Sequence, residues 1–282
     1  MNNKVKDLEK VSFGIAIMFG IYWIYACFIK QHLQISDGFK TIIGLVILYV
    51  FGLGLFLHIT RKIPAYKYEK KKLFFKSILL CFLLQFTSIL VLTVLTNILT
   101  ALCGINITTE IEATSLYMLF MLLIFNPIIE EIVFRKLFAD KLLRYGERFY
   151  ILVSSFCFAI VHGVSLGIPQ IVYTFILGMI WSYLMVKTGN IRLVIIMHAL
   201  SNLFGSIITQ ALLGVSIVAT GFYSMLLILL GIIGLILFLI NKKKIVLDGD
   251  KGLIRKTIIK EMLTNKGIIF YLVLTAIVII LK

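Results

Sequence analysis

FNPIIEEIVFR, residues 125–135, sets two adjacent carboxylates, Glu130 and Glu131, inside an apolar run. A charged side chain at the centre of a spanning helix costs about 2.5–3.5 kcal/mol on insertion scales. An ionisable pair held at membrane depth therefore marks a candidate functional site. Whether the pair lies at such a depth depends on the sequence around it.

The composition places it there. Of 282 residues, 61% are hydrophobic and 15% charged, and the mean hydropathy is +1.06. A soluble domain is near half apolar and about a quarter charged. Here the excess is spread over almost the whole length, which predicts an all-α, polytopic membrane helical bundle of about 8–9 transmembrane helices. On the rule that a span needs about 20 apolar residues, segments fall near 11–29, 41–59, 77–103, 115–134, 149–163, 169–187, 190–212, 217–240 and 267–281.

The connections alternate in charge. Residues 60–76 (TRKIPAYKYEKKKLFFK) are basic, 104–114 carry only Glu110 and Glu112, and 135–148 are basic again. Residues 163–169 and 210–222 are uncharged, Lys187 and Arg192 mark another basic turn, and 241–266 is basic. The positive-inside rule then puts the N-terminus in the cytoplasm and, after nine crossings, the C-terminus outside. The 60–76 segment reads either as an amphipathic helix on the inner surface or as a solvated loop. The 241–266 segment is too short to bury a core of its own.

The net charge of +15 has its explanation in these connections. No aromatic-interleaved basic patch or phosphate-cradling glycine loop accompanies it, so the expected partners are membrane lipids, not nucleic acid. Cys27, Cys81, Cys103 and Cys157 are isolated within or beside apolar runs, without CxxC spacing, and read as small buried hydrophobes. The basic N-terminus (Lys4, Lys6, Lys10) precedes an apolar stretch without a small-residue cleavage site, which reads as a retained first helix.

Three groups of residues have the character of an active site. Neighbours on a helix point about 100° apart, so Glu130 and Glu131 cannot both face one partner. Glu131 shares a face with Arg135, four residues on, which leaves Glu130 pointing elsewhere. A desolvated carboxylate near a second one binds a proton more readily, which suits a general base. Pro127, just before, predicts a break or kink. The same cluster also fits a helix end at the cytoplasmic interface. In FCFAIVHG, Phe158 and His162 are four apart and share a face; in IMHALSNLFG, so do His198 and Asn202. The last two are neutral donors that suit a developing oxyanion, and equally suit interhelical hydrogen bonding.

Taken in order on separate helices, EExxxR, FxxxH and HxxxN resemble the three motifs of the CPBP family. This is the family of CAAX-processing proteases and bacteriocin-processing or bacteriocin-immunity proteins, also called Abi. The resemblance covers roughly 115–212 and departs from the pattern at no motif position. Within the single membrane domain of 1–282 that the composition predicts, it implies a CPBP-like catalytic core in 115–212; the N-terminal transmembrane helices in 1–114 and the C-terminal transmembrane helices with a basic cytoplasmic loop in 213–282 carry no family motif. The activity it implies is that of an intramembrane glutamic endopeptidase. Glu130 matches the catalytic glutamate, His162 the water-activating histidine, and His198 with Asn202 the oxyanion-stabilising pair. Glu131, Arg135 and Phe158 match supporting positions.

Chemically, Glu130 and His162 would deprotonate a water that attacks a scissile carbonyl, with no cofactor. The alternative is a zinc ion on Glu130, His162 and His198 with water in the fourth position, although no HExxH is present. A different class of role, non-proteolytic, is bacteriocin immunity, envelope-enzyme scaffolding or lipoprotein modification. The composition and short loops suggest a bacterial plasma membrane, where leader peptides or bacteriocin precursors join CAAX-type proteins as candidate substrates. One geometric difficulty stands out. With the fourth segment ending near 134, Glu130 lies toward the cytoplasmic side while His162 lies near the outer end of its helix. A deeper start to the fifth helix, or a break at Pro127, would reconcile them.

Overall fold

Helix is the only regular structure among the described residues, which in this computed structural model are 3–104, 115–245, 247 and 256–281. Glu110, Glu112 and part of the 241–266 connection lie outside them. Eight helices are long and apolar enough to cross a membrane: α1 Asn3–His32, α2 Asp37–Thr60, α3 Phe75–Leu102, α4 Leu116–Tyr145, α5 Glu147–Val164, α6 Gly167–Thr188, α7 Ile191–Leu213 and α8 Ile217–Lys244. Two further helices, α9 Lys256–Leu263 and α10 Lys266–Leu281, meet at 66° and make a ninth span if they cross as one. Asn265 sits at their bend. Its Oδ1 accepts from the Gly267 N–H at 3.1 Å, capping α10, while its Nδ2 donates to the Val5 carbonyl at 3.1 Å. The chain is an integral membrane protein.

Helix α4 departs from expectation. It does not end near 134 but continues to Tyr145, so most of the basic stretch 135–148 is helical. The reason lies in the side chains. Phe134, Phe138 and Leu142 recur every fourth residue and are all buried, so the apolar face persists while Lys136 remains exposed.

Of the two forms expected for the 60–76 segment, the loop is the one found, mostly exposed but anchored to the helices. Residues 61–74 form a non-helical strap across the basic ends of the helices. Tyr66 N–H donates to the Asp140 carbonyl at 2.7 Å and Lys71 N–H to the Thr188 carbonyl at 3.0 Å. Lys141 and Arg144 donate to the carbonyls of Ile63 and Pro64. Ile63 is buried, and Gly189, with φ +58, leaves no room for a Cβ against the Glu69 carbonyl. Burial, with the Asp140 carboxylate beside it, pushes the Tyr68 hydroxyl up to about 12, so it remains a donor.

Close backbone approaches set the packing. A Cβ on Gly231 or Gly234 of α8 would lie 2.6 Å from the carbonyl oxygens of Phe86 or Leu83, so α8 rests directly on α3. Thr87 Oγ1 donates to the Gly231 carbonyl across that contact at 2.8 Å. α5 and α6 fold back on each other, with Gly178 against Ser155 and with Ser154 and Ser182 hydroxyls 3.1 Å apart.

Candidate active site

The two glutamates lie between two wide, π-type turns of α4, at Met121–Phe125 and Ile132–Leu137. Pro127 does not break the helix. The turn before it widens, so that Asn126 N–H bonds to the Met121 carbonyl five residues back. Pro127 itself has no N–H. The Leu122 carbonyl therefore loses both main-chain donors and accepts from Asn202 Nδ2 at 2.8 Å instead. At the second wide turn, Ser154 Oγ and Tyr150 Oη, both on α5, donate to the carbonyls of Phe134 and Arg135 at 2.7 and 3.0 Å. Such turns free carbonyls, and side chains of neighbouring helices fill them.

Two hairpins align the motif residues in depth. Gly146, at φ +109, turns the chain between α4 and α5. Glu130 and His162 each lie sixteen residues from it, on opposite arms. Neither resolution expected from the sequence operates: α5 starts at Glu147, not deeper, and α4 is unbroken. The longer α4 moves Glu130 from a helix end to its middle. In the same way, Trp181 lies nine residues before Asn190 and His198 eight after it, so they meet across the α6–α7 turn.

At the centre, Glu130 Oε2 lies 3.8 Å from His162 Nε2 and 3.9 Å from His198 Nε2. His162 Nδ1 is 2.7 Å from the Phe158 carbonyl, which can only accept, so Nδ1 carries a proton and Nε2 faces Glu130. Glu131 is sealed. Its Oε1 is 2.9 Å from His198 Nδ1, and its Oε2 is 3.1 Å from Arg135 Nε. The latter is an ion pair and not an aligned hydrogen bond. Both side chains are 0% exposed, whereas Glu130 and His162 keep 19% and 25%, which separates a structural carboxylate from an accessible one. The spacing predicted this division.

Aromatic rings surround the charges. Phe158 packs on His162 with ring centroids 4.4 Å apart, and the Arg135 guanidinium lies 4.5 Å from the Phe158 centroid and 5.6 Å from that of Trp181. Trp181 stacks on His198 at 4.2 Å and 21°. Cation–π contact partly compensates a guanidinium that has no water.

Glu130, Glu131, Arg135, Phe158, His162 and His198 thus form one cluster on α4, α5 and α7. Asn202 lies one turn further along α7, with one amide hydrogen on the Leu122 carbonyl and one left to offer. Among the described residues, no group of three or more His, Cys, Asp or Glu side chains has the arrangement of a metal site.

Residues 112–204 match the family model described as type II CAAX prenyl endopeptidase Rce1-like. The chain carries an Rce1-like core. All seven motif residues fall within it, and the CAAX-protease family expected from the motifs is the family matched. No curated protein and no solved structure matches the chain. The Rce1-like core spans helices α4 to α6 and most of α7, which also build the cluster. The family described is one of proteases.

Two residues at the cluster were not singled out from the sequence. Trp181, inside the Rce1-like core, was hidden among apolar neighbours, and counting outward from Asn190 would have found it. Gln85, on α3 and outside the core, accepts from Trp181 Nε1 at 3.0 Å. Its signal was an amide inside an otherwise apolar run, LLCFLLQF.

Proposed function

We propose that this chain is an intramembrane endopeptidase that hydrolyses a peptide bond with a water activated by Glu130 and His162. The observation that carries the reading is the position of Glu130 Oε2, 3.8 and 3.9 Å from two imidazole nitrogens. Those gaps exceed a direct hydrogen bond and suit a shared water. The Rce1-like core supports the reaction class.

In the proposed mechanism Glu130 and the His162 Nε2 lone pair accept the two hydrogens of the water. The oxygen lone pair is then left to attack the scissile carbonyl carbon. Glu130 takes a proton as the new C–O bond forms, and the carbonyl oxygen becomes an oxyanion. His198 Nε2 and the second hydrogen of Asn202 Nδ2 donate to it. His198 Nδ1–H is already given to Glu131, so donation from Nε2 uses the imidazolium form in place of the neutral donor expected from the sequence. The Glu131 carboxylate and the face of Trp181 are the partners an imidazolium takes. Arg135 balances Glu131, so with the His198 imidazolium the sealed trio carries a net positive charge beside the reacting pair. The proton on Glu130 passes to the leaving amine as the C–N bond breaks.

The substrate class inferred is a CAAX-type prenylated protein, or a leader or bacteriocin precursor, met with the basic ends of the helices in the cytoplasm. Protein purified in detergent is incubated with a farnesylated CAAX peptide and with unprenylated leader peptides. Wild type cleaves one of them; Glu130→Gln and His162→Ala lower kcat by at least about a thousandfold while staying folded. A Glu130→Gln variant with full activity removes the glutamic base. No cleavage by any form, with both variants still failing to complement in cells, transfers the cluster to the non-proteolytic roles of immunity, scaffolding or lipoprotein modification.

A further inference from the structure

Gln85 lies inside α3 and is 2% exposed. A buried amide is costly unless both its ends are hydrogen-bonded. Here both are used, and both on the same target. Oε1 accepts from Trp181 Nε1 at 3.0 Å, and Nε2 lies 3.7 Å from Met197 Sδ. Trp181 stacks on His198, and Met197 precedes it in the chain. One side chain of α3 therefore ties α6 to α7 next to His198.

Besides the edge of Phe158, whose ring centroid is 6.2 Å away, two closer contacts orient His198. Glu131 holds Nδ1, which fixes the direction of the ring within its plane. The indole of Trp181, 4.2 Å away and tilted by 21°, fixes the plane itself. The indole is in turn held by Gln85, at a point where α3 is closely packed against α8. Gly231 and Gly234 bring α8 against the carbonyls of Phe86 and Leu83, on either side of Gln85.

We propose that Gln85 is a positioning residue of the peptidase site, acting through Trp181 to hold the His198 imidazole with Nε2 toward Glu130. The proposal rests on the peptidase reading for its consequence in catalysis, but not for the contact itself. It gives the helices before the Rce1-like core a part in the chemistry beyond anchoring. A role in packing alone would make the effects of Gln85 and Trp181 substitutions add; a role through Trp181 makes them overlap.

Two measurements test it. The chain has two tryptophans, Trp23 and Trp181, so in a Trp23→Phe background Trp181 is the sole emitter. A stacked imidazole quenches indole, so His198→Ala raises the emission. Gln85→Leu raises it toward the same level. Emission unchanged by Gln85→Leu overturns the proposal, whether or not any peptide is cut. The second measurement is turnover of a quenched-fluorescent farnesylated CAAX peptide. Gln85→Leu lowers kcat about tenfold with KM unchanged, as expected when an orientation matters only in the transition state. In a Trp181→Phe background the same change moves kcat by less than about twofold. Equal falls in both backgrounds overturn the route through Trp181. Gln85→Met, close in volume, takes the place of Gln85→Leu if the latter lowers the folded yield. A wild type that cuts nothing counts against the peptidase reading, and the emission result then decides the Gln85 link alone.

Discussion

Asn202 Nδ2 donates to the Leu122 carbonyl at 2.8 Å, an oxygen that Pro127 deprives of its main-chain partner. The two residues are coupled across helices by a missing hydrogen. Asn202→Ala strands a carbonyl at membrane depth and is expected to cost about 1–3 kcal/mol. In a Pro127→Ala background the restored N–H takes over, and Asn202→Ala costs less than half as much. Thermal unfolding in detergent measures both. Additive losses would show that the two sites are independent.

The adjacent glutamates have different fates. Glu130→Gln leaves the melting temperature near wild type and removes turnover, because Glu130 is open and unpaired with Arg135. Arg135→Met takes from Glu131, which is 0% exposed, one of its two charged partners and leaves it only His198 Nδ1, and is expected to destabilise by about 3–5 kcal/mol. Unfolding curves beside a cleavage assay separate the two. An Arg135→Met protein as stable as wild type would mean that Glu131 is not held as a charge.

Chelation separates the glutamic mechanism from a metal one. Turnover is expected to change by less than about twofold after EDTA or phenanthroline treatment, since the proposed water activation uses only Glu130 and His162. Loss on chelation that zinc restores would assign Glu130, His162 and His198 to a metal instead.

The strap 61–74 predicts the orientation. Lys67 is exposed on it. With the native cysteines replaced, Lys67→Cys is expected to react with an impermeant maleimide only in inverted vesicles or opened cells. Labelling of intact cells would invert the topology.

Much of this architecture was open to reading along the chain. Apolar runs of span length gave the helical membrane class, because a bilayer offers the backbone no other partner. The four-residue steps Glu131–Arg135 and Phe158–His162 placed those pairs on shared faces, and in the structure both pairs are in contact. Even the depth of Glu130 and His162 was encoded in their equal distance from Gly146. Charge masks that signal, because the basic stretch after 134 looks like a loop, whereas Phe138 and Leu142 continue the buried face.

What the sequence by itself determined is local: which segments span, which side chains share a helical face, and which residues are candidates to carry chemistry. Tertiary structure alone decided which helices stand beside one another. It set Trp181 against His198, brought Gln85 from α3 to Trp181, and turned Asn202 to the Leu122 carbonyl. The physical reason is range. Helical periodicity relates residues three or four apart, but contacts between helices depend on close approaches, such as Gly231 on Phe86, and on carbonyls released by wide turns. No spacing within one segment specifies those.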